Sequence, residues 1–268
     1  MKRLQQSASL ALLLITHSGA AAALSATPAP SATPIHRAGF VSIVGVPNVG
    51  KSTLFNALLG ERLAIATSKA QTTRHRIFGI DNGEDHQIIW SDTPGVMEHP
   101  QYRLQEGMMA FVRSSLVDAD VLLLVVDVFQ EKFPDEQLLR QLRASPAALL
   151  VLLNKVDLLD ADATGRDERH AAKAAERSAR LGTTEQILQR WRDEFPDATV
   201  LPIAARRGGE AVEAVHKHVL ALLPEHPPFY PKEQLTDRPE RFFAAEMLRE
   251  AIFEHYSQEV RAKERRTK

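Results

Sequence analysis

Gly45-Val46-Pro47-Asn48-Val49-Gly50-Lys51-Ser52 sets two glycines, a lysine and a hydroxyl at the spacing G-x-x-x-x-G-K-S. That pattern suits a cradle for phosphate. Gly45 and Gly50 let the backbone approach an anion with no Cβ in the way. The exposed N–H groups and the start of the following helix, which Thr53 enters, point positive partial charge at it. Lys51 would neutralise phosphate charge, and Ser52 would hold Mg²⁺ through its hydroxyl.

Other chemistry-bearing residues follow at intervals. Lys69 to Arg76 is a polar loop containing Thr72 and Thr73. Ser91-Asp92-Thr93-Pro94-Gly95 puts a carboxylate before a Pro-Gly turn. At a strand end this is where α/β folds bind ligands, and Asp92 could reach a Mg²⁺ sphere. Asn154-Lys155-Val156-Asp157 ends another apolar run, and Ala204-Ala205 opens a late loop.

These groups need elements to carry them. Phe40 to Val44 is a short β-branched run before the phosphate loop, and Thr53 to Leu59 reads as a helix stopped by Gly60. Arg76–Ile80 and His86–Trp90 are strand-like, joined by Asp81-Asn82-Gly83-Glu84-Asp85, whose Asn-Gly pair signals a hairpin. Val121 to Val126 and Ala147 to Leu153 are fully apolar, as central parallel strands are. Helices are predicted over 101–116, 133–142 and 211–223, and a last strand over 199–203. Residues 161–195 are Ala-rich and charged, and read as a helical, solvated excursion. Asp160 to Gly165 begins like a calcium loop but carries Ala171 where a bidentate glutamate is needed. His216 and His218 have no partner at metal spacing and read as surface residues. The alternation of strands and helices, with one hairpin, gives an open α/β sheet, mostly parallel with one antiparallel edge strand.

The chain of 268 residues is 44% hydrophobic with a net charge of −1. This is globular composition with no whole-chain case for nucleic acid. With no cysteine, disulfides, thiolate metal sites and cysteine nucleophiles are excluded. Lys2 and Arg3 precede an apolar run from Leu10 to Ile15 and an Ala-rich stretch, and no acidic residue occurs before Glu61. This reads as a signal-type targeting peptide, cleaved near Ala23 to Ala26, with a plain transit peptide as the rival. The run is too short to span a bilayer.

The phosphate loop, Thr73, D-T-P-G and N-K-V-D stand in the order of the translation-factor-like GTPases. Gln71-Thr72-Thr73-Arg74-His75-Arg76 brings the wording closest to the Era family, which residues 38–257 resemble. The resemblance implies a P-loop NTPase three-layer fold and the cofactors GTP/GDP and Mg²⁺. It implies that Thr73 contacts Mg²⁺ and the γ-phosphate, that Asp92 holds Mg²⁺ through water, and that the Gly95 N–H senses the γ-phosphate. Asp157 would accept from the guanine N1–H and N2–H₂ edge, a pair adenine does not offer. That disfavours an ATPase or kinase. Asn154 would brace the loops, the Lys155 stem would cover the base, and the Ala205 N–H would reach guanine O6. Ala204 stands where the family usually has serine. Val96 stands where Ras-like enzymes carry a water-orienting glutamine, so turnover should be slow. Asn48 matches an asparagine that helps to hold K⁺ in Era-like enzymes.

The expected division is a targeting segment over 1–37, a GTPase domain over 38–223, and a Pro-rich linker followed by a helix and basic tail over 224–268. In Era proteins the last region opens an RNA-binding KH domain, whose G-x-x-G loop does not occur after residue 235. The resemblance implies small-subunit rRNA and the small ribosomal subunit as partners, weakened because most of the KH domain is missing, and residence in a plastid or mitochondrion. The alternative is a GTP-dependent binding protein with negligible hydrolysis and no RNA binding.

Overall fold

The computed structural model describes residues 36–66, 73–159 and 167–252. Residues 1–35 of the expected targeting segment, Gln71 and Thr72, residues 160–166 and the basic tail lie outside the described residues. A six-stranded sheet runs in the order β2-β3-β1-β4-β5-β6. Its strands are β1 (Arg37–Val44), β2 (Ile77–Asn82), β3 (His86–Asp92), β4 (Val121–Asp127), β5 (Ala148–Asn154) and β6 (Thr199–Pro202). Among the described residues only β2 is an antiparallel strand of this sheet, paired to β3 across the Asn-Gly turn.

β4 explains itself. Val121 to Val126 are all 0% exposed. Leu122, Leu124 and Val126 enter one core and Val121, Leu123 and Val125 the other, as a strand's period of two requires. Truncating one of these leucines to alanine costs about 2–5 kcal/mol. The helices α1 (Lys51–Leu59) and α6 (Glu210–Leu222) cover one face. The helices α2 (Arg103–Val117), α3 (Glu136–Ala144) and α5 (Thr184–Glu194) cover the other. α1 ends where predicted, at Gly60 in the left-handed conformation with φ 71°.

Three expectations change. The excursion is two helices, α4 (Asp167–Leu181) and α5, and the second is not solvated. Gly182, at φ 96°, and a capping box between Thr183 and Gln186 divide them. Ile187, Leu188 and Trp191 then seat α5 in the core, a stripe that the surrounding charge conceals. His216 has partners after all. Its Nε2 lies 2.7 Å from Asp81 Oδ2, a contact that joins α6 to β2 across 135 residues. His218 is exposed, as expected.

Residues 224–238 are a strap rather than a free linker. The Ala38 N–H donates to Pro224 O at 3.2 Å, and the Ile80 N–H to Leu235 O at 2.8 Å. The Gln87 side chain grips Phe229 and Tyr230, and Thr236 bridges Gly79 on the outer side of β2. The strap thus covers an otherwise unpaired sheet edge. It leads to a helix over 240–252, here α7.

Candidate functional site

β1 sits between β3 and β4, so the chain leaves its C-terminal end where neighbouring connections diverge, the usual crevice of such sheets. The loop 45–50 fills that position. A Cβ on Gly45 would stand 2.3 Å from Val125 O, so the loop lies against the end of β4 as only glycine allows. Gly50 has φ 102°, and a Cβ there would meet Asn154 Nδ2 at 2.3 Å. No side chain caps α1 and no acid occupies its first turn. Its N–H groups therefore keep their positive end for an incoming anion. Asn48 is exposed, with φ 65°.

Lys51 lies folded over this loop, donating to Gly45 O at 3.0 Å and Val46 O at 2.9 Å. Burial lowers its pKa from 10.5 to about 8, against an opposing pull from Asp92. Three oxygens converge beside it. Ser52 Oγ donates to Asp92 Oδ2 at 2.8 Å, Thr73 Oγ1 donates to the same atom at 3.1 Å, and the two hydroxyls are 3.1 Å apart. Burial pushes the Asp92 carboxyl up, and Lys51 and the two hydroxyls pull it back. Among the described residues, Asp92 Oδ1 is buried with no hydrogen-bond partner. One buried carboxylate with a spare oxygen and two hydroxyls form a hard-oxygen set that suits a small divalent cation such as Mg²⁺.

Gly95 packs on the loop, where a Cβ would stand 2.8 Å from Pro47 N, and the Val96 N–H donates to Gly45 O at 3.0 Å. The Val96 side chain turns into the core at 2% exposure, away from the crevice. Thr93 donates to Ile43 O at 2.7 Å, tying β3 to β1, and Pro94 is buried beside it. Thr53 follows Ser52 on the first turn of α1.

Asn154 ends β5 and joins two loops. Its Nδ2 donates to Val49 O at 2.7 Å, and its Oδ1 accepts from the Ala205 N–H at 3.0 Å. The Ala205 N–H, expected to face a base carbonyl, therefore has a protein partner. Ala204 offers no hydroxyl to the loop, and the amide of Asn154 takes up the bracing. Lys155 holds φ 65°, a conformation that costs a lysine about 1 kcal/mol. Its ammonium donates to Asn48 O at 2.6 Å and to Asp127 Oδ2 at 2.7 Å. Asp157 lies in the turn Val156–Leu158 with Arg207 Nε 3.9 Å away. Asp127 and Arg207 were missed at the sequence level. Asp127 had one signal, as the lone acid that ends the apolar β4.

A family model described as "50S ribosome-binding GTPase" matches residues 40–155. GTPase Era of Nitrosomonas eutropha is 37% identical over 228 residues, which cover 84% of this chain and 69% of that protein. The chain belongs to the Era family of GTPases.

A chloroplastic Era-like GTPase of Arabidopsis thaliana is 39% identical over 230 residues, 84% of this chain and 48% of the relative. The chain thus spans about half the length of that plant Era-like protein. The crystal structure of a single-residue variant of Aquifex aeolicus Era bound to GDP and AlF₄⁻ superposes with a TM-score of 0.66 at 32% identity, covering 80% of this chain and 66% of that one. An Era complex with MgGDPNP and a 16S rRNA fragment gives 0.65 at 33% identity with the same coverage. The sheet order and single antiparallel strand described above are those of a P-loop GTPase, as the resemblance to Era implied.

Proposed function

We propose that this Era-family chain binds GTP and Mg²⁺ in the crevice at the C-terminal ends of β1, β3 and β5 and hydrolyses GTP slowly to GDP and phosphate. One observation carries the reading: Lys51 and the oxygens of Ser52, Thr73 and Asp92 converge at the uncapped start of α1. Ser52, Thr73 and Asp92 hold the metal, which neutralises phosphate charge. Gly45, Val46 and Asn48 to Thr53 bind the phosphates through backbone N–H groups, Pro47 shapes the loop between them, and Lys51 supplies a positive charge. Asp92 to Gly95 form the γ-phosphate side, with the Gly95 N–H as its sensor.

Asp157 reads the guanine edge. Asn154 fixes the loops on either side of the base, with Lys155 over its face and Ala204 and Ala205 beyond. The Ala205 N–H reaches the base by sharing its hydrogen between Asn154 and guanine O6. In hydrolysis, water attacks the γ-phosphorus and the bond to the bridging oxygen of GDP breaks. Val96 is in the core and offers water nothing, so rate comes from positioning and charge. Asn48, exposed beside Lys155, would hold K⁺ as additional charge.

The wider reading rests on the relatives. The Era complex with 16S rRNA supports a switch role on small-subunit rRNA, and the chloroplastic relatives support residence in a plastid. Residues 38–223 serve as the GTPase domain, and residues 224–268 as a linker, the truncated start of a KH-domain region and a basic tail.

Single-turnover hydrolysis of GTP and xanthosine triphosphate, in potassium and in sodium, tests the core of this. Asp157→Asn should shift preference toward the xanthine base by about two orders of magnitude or more, because the amide offers a donor where the carboxylate only accepts. Asn48→Ala should abolish an advantage of potassium over sodium. Unchanged base preference would remove Asp157 from the base site. Binding without hydrolysis in either salt would leave a nucleotide-dependent binding protein.

A further inference from the structure

We propose that Asp81, His86 and His216 form a binding site for a zinc-class divalent cation, separate from the nucleotide crevice. They come from β2, β3 and α6, and offer one carboxylate oxygen and two imidazole nitrogens that all lie within 4.8 Å of one another. Two nitrogens and one oxygen, with no cysteine in the chain, favour a borderline metal such as Zn²⁺ over Mg²⁺. His86 and Asp92 are the two ends of β3, so this cluster lies about 20 Å from the oxygens of the crevice.

The local structure is built to aim these rings. His86 lies over Gly83, where a Cβ would stand 2.2 Å from its Cε1, so a glycine in the hairpin turn is what admits the imidazole. His86 Nδ1 lies 3.1 Å from Asp85 Oδ1. That contact fixes the ring and leaves Nε2 as the ligand atom, the carboxylate–histidine arrangement that supports metal ligands. The His86 and His216 rings meet at 5.6 Å and 72°, and Trp90 lies 6.1 Å from His216. The side chains are 15%, 24% and 26% exposed for His86, Asp81 and His216, so solvent reaches the cluster and water can complete a fourth position.

Bonds of about 2.0–2.1 Å in a tetrahedron set ligand atoms about 3.3 Å apart. The His216–Asp81 contact must open slightly from 2.7 Å and the wider separations must close, shifts on the order of 1 Å. The cation takes the place of the proton shared by His216 and Asp81. It would staple α6 to the β2–β3 hairpin.

The test is calorimetric titration of the full chain with ZnCl₂ under saturating Mg²⁺, which occupies the oxygen site. The wild type should bind one Zn²⁺ at this site. Asp85→Asn should lose about 10–100-fold in affinity, and His86→Asn and Asp81→Asn, which change the ligands themselves, should each lose more than that. His86→Asn keeps the His216–Asp81 hydrogen bond, so its circular dichroism should match the wild type. Ni²⁺ should quench Trp90 fluorescence saturably in the wild type and not in His86→Asn. Equal Zn²⁺ affinity in wild type and His86→Asn, or no quenching by Ni²⁺, would overturn the site and leave a hydrogen-bonded clamp.

Discussion

Lys51 is charged in water and buried here, and its environment sets the conflict. Burial brings its pKa down to about 8. A lysine with a folded pKa below its unfolded value disfavours folding when charged. Its cost is full below about pH 8 and fades as pH rises from there toward 10.5. Phosphates beside it would restore the charged form. At about pH 8 roughly half of the unliganded lysines carry the proton, so nucleotide binding should draw in about half a proton. Lys51→Arg stays charged throughout and should draw in none. Calorimetry at that pH in buffers of different ionisation heat measures this difference, which should vanish at about pH 6. Equal proton uptake by wild type and Lys51→Arg would mean that Lys51 does not meet the phosphates.

At the scale of elements, one side chain makes three of the hydrogen bonds that hold the strap. Gln87 is 0% exposed, accepts from the Phe229 and Tyr230 N–H groups at 2.7 and 2.9 Å, and donates to Tyr230 O at 2.8 Å. Gln87→Leu removes all three of these bonds and should cost about 2–4 kcal/mol. Limited proteolysis should then cut within 224–238 before the sheet, and unchanged resistance would show that the strap is held elsewhere. The strap also marks where sequence reading stops. β4, β5 and the phosphate loop were legible because their signals are local: continuous apolar runs, and glycines at fixed spacing. Ser52 and Asp92 could be assigned to one site for the same reason. Gln87 gives no such signal, since its partners lie 142 and 143 residues away. The pairing of Asp81 with His216 and the grip of Lys155 on Asp127 are likewise products of topology. The burial of α5 had a local signal, Ile187, Leu188 and Trp191, which the charge around it obscured.

At the scale of the whole molecule, residues 73–76 connect the crevice to the C-terminal helix. Thr73 contributes to the oxygen cluster, and three residues later Arg76 O accepts from Arg238 Nη2 at 2.9 Å. Between them the His75 ring meets Phe111 on α2 and Phe242 on α7, each at 6.2 Å. Arg62, just beyond α1, pairs with Glu250 at 2.7 Å. On the proposed reading, a triphosphate and metal that hold Thr73 would strain or release these contacts, and a diphosphate would have less to hold Thr73 with. α7 carries Met247 and Leu248, exposed at 70% and 64%, so a change in its position would alter an apolar surface. Hydrogen exchange over 236–252 should therefore differ between the complexes with GDP and with a non-hydrolysable GTP analogue. Phe242→Ala should shrink that difference while leaving exchange in β4 unchanged. Coupling is reciprocal, so the same variant should narrow any difference in nucleotide affinity produced by a ligand of α7. Identical exchange over 236–252 in the two nucleotide states would confine the switch to the crevice, and the contacts of His75 and Arg238 would then only hold the fold together.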